Sequence, residues 1–302
     1  MLRRYLFRRL THVLILLAGI SALSFVLLEV APGDFLGEAR LNPQLSPATL
    51  AALREQYGLN KSLPEKYLYW LGSVAKGDFG ISFAYNLPVS ALLWPRVRKT
   101  LQLTVASLVL SWSIALPLGV WTASARKGLV DRAVSLSISA LLATPDLVLA
   151  CFALLLAIRA RVYHSESPLI PVAVLVLGAL PLLLRHVRAA LIDVAHEPFA
   201  RAARSNGIGG VQLWCRCLLP VAANPLISLF GLSVAGLLSS SLLVEVFLGW
   251  PGVGPLFVEA IAQRDFYLVV GPVVLSAVIL SLGTLLTDIL LYALDPRIRI
   301  EQ

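Results

Sequence analysis

Residues 221–247 read VAANPLISLFGLSVAGLLSSSLLVEVF, a run of 27 residues whose single formal charge is Glu245. A hydrocarbon core of about 30 Å is crossed by about 20 apolar residues of helix rising about 1.5 Å each. The stretch therefore spans a bilayer by length. Moving outward, five more runs come close: Leu10–Val30, Leu101–Ala123, Ala133–Ile158, Leu169–Leu184 and Val269–Leu294, of which Leu169–Leu184 is shortest and extends toward Arg188. Of the 302 residues, 58% are hydrophobic and 14% charged, against roughly 45–50% and about 25% in soluble domains. The expectation is an all-α integral membrane protein with six transmembrane helices. An even number of spans places both termini on one side.

Lysine and arginine in the short loops set the side. With the N-terminus cytoplasmic, 14 basic residues fall inside (Arg3, Arg4, Arg8 and Arg9; Arg126, Lys127 and Arg132; Arg185 to Arg216; Arg297 and Arg299) and three outside, Arg159, Arg161 and Arg264. Positive residues are retained on the cytoplasmic side, which fixes the orientation. The formal net charge of +8 would raise nucleic acid as a partner in a soluble chain; in an oily one it reports these loops. The basic start MLRRYLFRR resembles the n-region of a signal peptide, but the apolar stretch behind it is longer than roughly 7 to 15 residues, and LLEVAPGDF offers no small-x-small cleavage site. A retained first helix over 1–30 is predicted.

The segment 31–99 is then an extracytoplasmic helical loop domain. Ser46-Pro47 is an N-cap followed by proline, with Gly58 as a stop. LPEKYLYWLGSVAKG repeats the pattern, with Tyr67, Leu68, Leu71, Val74 and Ala75 at helical spacing. Such a cap serves either as a lid on the membrane surface or as a docking surface for a soluble external partner. Residues 100–302 form the remaining five-helix core, with a loop at 189–223.

Acids inside spans are costly and so are candidates for function. There are four: Glu29, Asp146, Glu245 and Asp288. Glu29 and Glu245 near the outer boundary, and Asp288 near the inner one, have snorkelling toward water as the simpler reading. Asp146 lies deeper, in ATPDL, where Thr144 is placed to cap and Asp146 to face the positive end of a restarting helix. Gly231, Ala235 and Ser239, and Gly236 with Ser240, repeat small residues every four positions, which lets helix backbones approach closely. Ser239, Ser240, Glu245 and Asp288 are the pathway or gating candidates. Cys151, Cys215 and Cys217 show no CxxC spacing, and His12, His164, His186 and His196 no ligand spacing, so packed thiols and no metal site are predicted.

Preceding the quoted run, residues 201–220 read RAARSNGIGGVQLWCRCLLP. Pro198 opens and Gly207 closes a short amphipathic helix over 197–206 with Phe199, Ala202 and Ala203 on one face; VQLWCRCLL forms a second, ended by Pro220. Two short helices joined by a glycine-rich turn make a knob beneath the membrane.

Ala202-Ala203, three residues, Gly207, nine residues, then Cys217-Leu218-Leu219-Pro220 resembles the signature E-A-A-x3-G-x9-I-x-L-P of permease subunits in binding-protein-dependent ABC importers. APGD at 31–34, GDFGIS at 77–82, GWPGVG at 249–254 and LDPRIR at 294–299 resemble one branch, the first permease subunit of dipeptide, oligopeptide and nickel importers. Two positions depart from the signature: Arg201 stands where the acid belongs, and Cys217 where isoleucine does. The resemblance implies that Arg201, Ala202, Ala203, Gly207, Leu219 and Pro220 belong to a coupling helix that docks on a separate ATPase. It also implies a second, paralogous permease chain, two ATPase subunits or domains carrying ATP and Mg, and an external solute-binding protein. The cytoplasmic (inner) membrane of a bacterium or archaeon is the implied site, with lipid around the chain and no nucleic acid.

No G-x-x-x-x-G-K-[ST] phosphate loop occurs, and no HExxH or GxSxG grouping. The chain is predicted to be a transport subunit with no catalytic residue and no cofactor of its own. The competing class is an ion-coupled secondary transporter working through Asp146 or Asp288, for which inverted repeats would speak.

Overall fold

Apolar helices dominate, as the runs predict. The computed structural model describes residues 2–30, 62–124, 129–164 and 166–294. In chain order the helices are α1 (Leu2–Val30), α2 (Leu63–Val74), α3 (Val89–Ser124), α4 (Leu129–Leu142), α5 (Asp146–Arg159), α6 (Leu169–His196), α7 (Pro198–Ser205), α8 (Gly210–Leu213), α9 (Leu219–Leu248), α10 (Val253–Ala262) and α11 (Phe266–Leu294). Among the described residues five helices are long and apolar enough to cross a membrane, and six if α4 and α5 count as one broken span. The expected Ser46–Gly58 helix, APGD, most of LDPRIR, and Arg126 and Lys127 lie outside the described residues.

The third predicted span is not one helix. Its two arms, Arg132–Leu142 and Asp146–Arg159, meet at 100°. Pro145 has no N–H and sits extended at ψ 145°, while the residue before a proline is pushed out of the α region. Thr144 does not cap the restart: its Oγ1 donates back to Ala140 O at 2.9 Å. The other spans are longer than the apolar runs. The second begins at Val89, inside the predicted loop domain, and the fourth continues to His196. Helix α10, which begins within GWPGVG at Val253, is an addition that hydropathy did not separate.

Internal contacts divide the residues into two units, Thr100–Trp250 with Leu280–Gln302, and Leu2–Lys99 with Pro251–Ile279. Residues 251–279, assigned from sequence to the five-helix core, thus group with the first helix and the loop.

In the unit holding α1 and α2, the inward face of α2 differs from the predicted one. Trp70 is buried while Leu68 is exposed. Phe25 of α1 meets Trp70 at 5.1 Å, Tyr67 at 5.2 Å and Phe266 at 4.7 Å between ring centroids, the last two edge-to-face. Such ring pairs contribute about 0.5–1.5 kcal/mol each beyond area burial. Glu29 is not left to water alone: Lys66 Nζ lies 3.4 Å from its Oε2. The GDFGIS loop is tied down by a buried carboxylate. Asp265 Oδ2 accepts from Ser82 Oγ (2.6 Å) and Ala84 N (3.0 Å), and its Oδ1 from Leu268 N (3.2 Å). Both Asp265 and Ser82 are fully buried; a charge held out of water needs several such donors.

In the other unit, α6 and α9 pack along one another, α5 contacts both, and α4 lies on α6. Small residues set the separations, as the four-residue spacing in α9 suggests. A Cβ on Gly231 would lie 2.7 Å from Thr287 Oγ1, and one on Gly283 2.8 Å from Val234 Cγ1. Only glycine admits that approach, and close backbone contact is the main source of helix association where lipid is as apolar as leucine. Gly231 is buried there, whereas Gly236 and Ser239 are exposed.

Candidate functional site

The knob predicted at 197–220 is present and is built on the unit's core. Glu197 occupies the N-cap of α7 with Pro198 behind it, where a missing N–H costs nothing. The helix ends as its glycine requires. Ile208 N donates to Ala203 O at 3.1 Å and Gly207 N to Arg204 O at 3.0 Å, the paired bonds of a Schellman stop, with Gly207 at φ +79°. A side chain at Gly207 would carry the left-handed penalty of about 1–2 kcal/mol.

The two faces of α7 are unlike. Ala200 is fully buried, and Ala203 and Ile208 pack on a cluster containing Leu183, Val187 and Leu191 of α6 and Ala222 of α9. Phe199, Arg201, Ala202 and Gly207 are exposed, as is Val211 at 78%. Ala202 and Ala203, neighbours in the signature, therefore part: one faces out, the other in. The exposed residues make a patch of small and apolar side chains beside the two cations Arg201 and Arg204. Clustered apolar groups in water mark a contact surface.

Pro220 does not end the second helix. Gly210–Leu213 runs through a π-helical turn, Trp214–Leu218, directly into α9. At the end of the turn Leu219 N donates to Trp214 O, one residue farther back than in an α-helix. The wider turn absorbs the proline's missing donor. Leu218 is buried, Leu219 half-buried and Pro220 exposed, and the second short helix of the knob shares one backbone rod with α9. Cys217 packs half-buried on the cluster, but Cys151 and Cys215 are exposed, against the expectation of three packed thiols.

The polar residues scattered along the spans fall into different settings. Asp146, the first residue of α5, accepts from Ser240 Oγ of α9 at 2.8 Å, and a Cβ on Gly178 of α6 would lie 2.6 Å from its Oδ1. One carboxylate thus joins three helices at the break. Ser239, the next candidate along, is exposed. Glu245 is fully buried rather than snorkelling; its helix ends in Gly249 at φ +67°, whose N–H and that of Trp250 return to Glu245 O. Asp288 is half-buried. Sequence spacing did not show the Asp146–Ser240 pair, because the two residues are 94 apart. No group of three or more His, Cys, Asp or Glu placed to hold a metal occurs among the described residues.

Comparison with known proteins gives one consistent picture. Residues 115–300 match the family described as binding-protein-dependent transport system inner membrane component, and residues 1–104 match its N-terminal counterpart. The chain is 31% identical to the oligopeptide transport system permease protein AppB of Bacillus subtilis, across 97% of this chain and 98% of that one. It is 29% identical to the dipeptide transport system permease protein DppB of Lactococcus lactis, across 98% and 99%. It is 28% identical to the protein of the same name in Escherichia coli K12, across 98% of each. Among solved structures, an inward-facing form of the MetNI methionine ABC transporter superposes with a TM-score of 0.62 at 23% identity, covering 68% of this chain and 96% of that one. That likeness speaks for the fold.

Proposed function

This chain belongs to the binding-protein-dependent transport system inner membrane components, and from that premise we propose that it forms half of the translocation pathway of an ATP-driven importer of peptides. The substrate class follows its relatives, which are named as oligopeptide and dipeptide permeases. ATP, bound with Mg, is hydrolysed on a separate ATPase, since the sequence holds no phosphate loop. A paralogous permease completes the pathway, a solute-binding protein delivers the peptide from outside, and both termini face the cytoplasm as the positive residues direct.

The observation that carries this reading is the knob. Its inner face, Ala200, Ala203 and Ile208, is locked to the transmembrane core, and its outer face, Phe199, Ala202, Gly207 and Val211, is left uncovered. A push on the outer face reaches α6 and α9 through the packing of Ala200, Ala203 and Ile208 on their side chains, and through α8, which continues by way of the π-helical turn into α9. Arg201, in the place of the signature's acid, is suited to a carboxylate on the ATPase. The ion-coupled alternative loses its footing: family membership speaks for ATP-driven transport, and Asp146 is engaged by Ser240.

Ala202→Asp and Gly207→Asp test the assignment. Both positions are exposed, so each variant should insert in normal amount. Peptide uptake should fall by about tenfold or more, and the ATPase should no longer co-purify, as expected when a charge enters the centre of a packed interface. Uptake at the wild-type rate in Ala202→Asp would remove the knob from the coupling path.

A further inference from the structure

The GDFGIS loop frames a second feature, apart from the knob and within the unit that holds α1 and α2. A cavity of about 220 Å³ opens between this loop, α2 and the first turn of α11. Four of the residues lining it are aromatic: Tyr69 and Trp70 of α2, Phe83 just after the loop, and Tyr267 of α11. Asp78 is the one charged residue of the lining, with Ser73 of α2 beside it. The wall is fixed before any ligand arrives. Gly80, at φ +94°, brings the loop so close to Tyr267 that a Cβ there would lie 3.0 Å from the ring's Cγ. Tyr267 meets Phe83 at 5.4 Å between ring centroids, and Trp70 Nε1 donates to Phe79 O at 3.2 Å. Asp78 itself is half committed. Its Oδ1 accepts from Gly80 N at 2.9 Å, while Oδ2 has no hydrogen bond or ion pair among the described residues. Lys76, two positions earlier, is exposed and is not part of the lining.

A carboxylate with one oxygen uncommitted attracts a cation, and its surroundings select the kind. Magnesium and calcium need six or more oxygen ligands, which a mostly aromatic lining does not offer. An alkylammonium or guanidinium instead exchanges water for aromatic rings, which attract a cation within about 6 Å of their centroid. Tyr69 is the accessible ring of the four, 69% exposed, whereas Trp70 and Phe83 are buried. Size narrows the ligand further. Sites that enclose whole drug-sized molecules measure about 300–1,000 Å³, so this smaller one accepts an end group. We propose that Asp78, Ser73, Tyr69 and Tyr267 form a binding site for the cationic end of an organic molecule, an ammonium or guanidinium on a short stem. On the orientation proposed above the loop faces outside, where a peptide's amino terminus and a basic side chain both offer that group. Binding here rests on the geometry of one unit and not on the transport reading, so the two stand or fall separately.

The full chain, purified with whatever subunits accompany it in an uncharged maltoside detergent, is titrated with three probes, and binding is read by saturation-transfer difference NMR. Dialanine amide carries a free amino terminus, Nα-acetyl-lysine amide only a side-chain ammonium, and Nα-acetyl-dialanine amide neither. The expected result is saturable binding of at least one cationic probe and none of the capped dipeptide. Asp78→Asn keeps an oxygen for Gly80 N and should raise the Kd of that probe about tenfold, the loss of one charge-assisted contact. Tyr69→Leu should raise it about threefold, the loss of one exposed cation–ring contact. Both positions are exposed, so both variants should fold. Binding of dialanine amide identifies a chain terminus as a ligand and binding of Nα-acetyl-lysine amide a side chain; either upholds the site. Equal binding of the capped dipeptide, no binding of either cationic probe, or an unchanged Kd in Asp78→Asn overturns it.

Discussion

Pro145 and Pro220 pose one problem to the chain and receive two answers. Each lacks the N–H that would extend a helix, at a cost of about 3 kcal/mol in a regular interior. At Pro220 the ladder slips to a π-helical turn over Trp214–Leu218 and the rod continues for 30 residues of α9. At Pro145 the helix stops, turns by 100° and restarts at Asp146. Their neighbours account for the contrast. Before Pro220 lie Trp214 and Leu218, both buried, which hold the preceding turn against the core. Beyond Pro145 lies a carboxylate whose partner, Ser240, stands on another helix, and following it commits the chain to a new direction. A proline therefore marks where a helix must adapt, and packing decides whether it bends or merely widens.

The comparison breaks most severely at Gly178. Gly178→Leu forces a side chain into the space of the Asp146 carboxylate and should cost about 3 kcal/mol, the upper end for an overpacked site. Thermal unfolding of the detergent-purified protein measures it, and a loss below 0.5 kcal/mol would show that Asp146 moves aside freely. Pro145→Ala comes next. With labels at Ser139 and Phe152, both exposed, pulsed electron-spin distances should lengthen toward the roughly 20 Å of a straight helix, with about 1 kcal/mol lost through the freer unfolded chain. An unchanged distance would assign the bend to Asp146 and Ser240 rather than to the proline.

Ser240→Ala removes one hydrogen bond to that carboxylate and should cost about 1 kcal/mol. In the Gly178→Leu background the same change should cost almost nothing, because the carboxylate has already been displaced; additive losses would mean that the two contacts are independent. Pro220→Ala should have the smallest effect, within about 0.5 kcal/mol, since the site is exposed and the rod is already continuous. A larger loss of stability, or of uptake at normal expression, would show that the proline itself maintains the π-helical turn that joins knob and rod.

The knob was legible because its grammar is local. Pro198 stands four residues before Ala202 and Gly207 four after Ala203, a range over which spacing alone decides caps and stops. Spans were legible because a run of apolar residues has one low-energy form in lipid, the helix, with every backbone group paired internally. What α2 would bury was not: Trp70 and Leu68 are both apolar, and it is the ring of Phe25, the buried Val270 and Val274 beside it, and the Phe79 carbonyl that accepts from Trp70 Nε1 at 3.2 Å, that select Trp70.

By itself, then, the sequence determined that this chain crosses a membrane through apolar helices, that a proline-to-glycine knob interrupts them, and that its signature stretches resemble those of an importer permease. Tertiary structure alone decided that Ala202 faces out while Ala203 faces in, that Glu245 is buried, that Asp265 anchors the GDFGIS loop, and that Asp146 is shared among α5, α6 and α9. Caps, stops and hydropathy are written within one or two turns of chain. The partner of a buried carboxylate is chosen across tens to hundreds of residues, by whichever helix packing brings beside it.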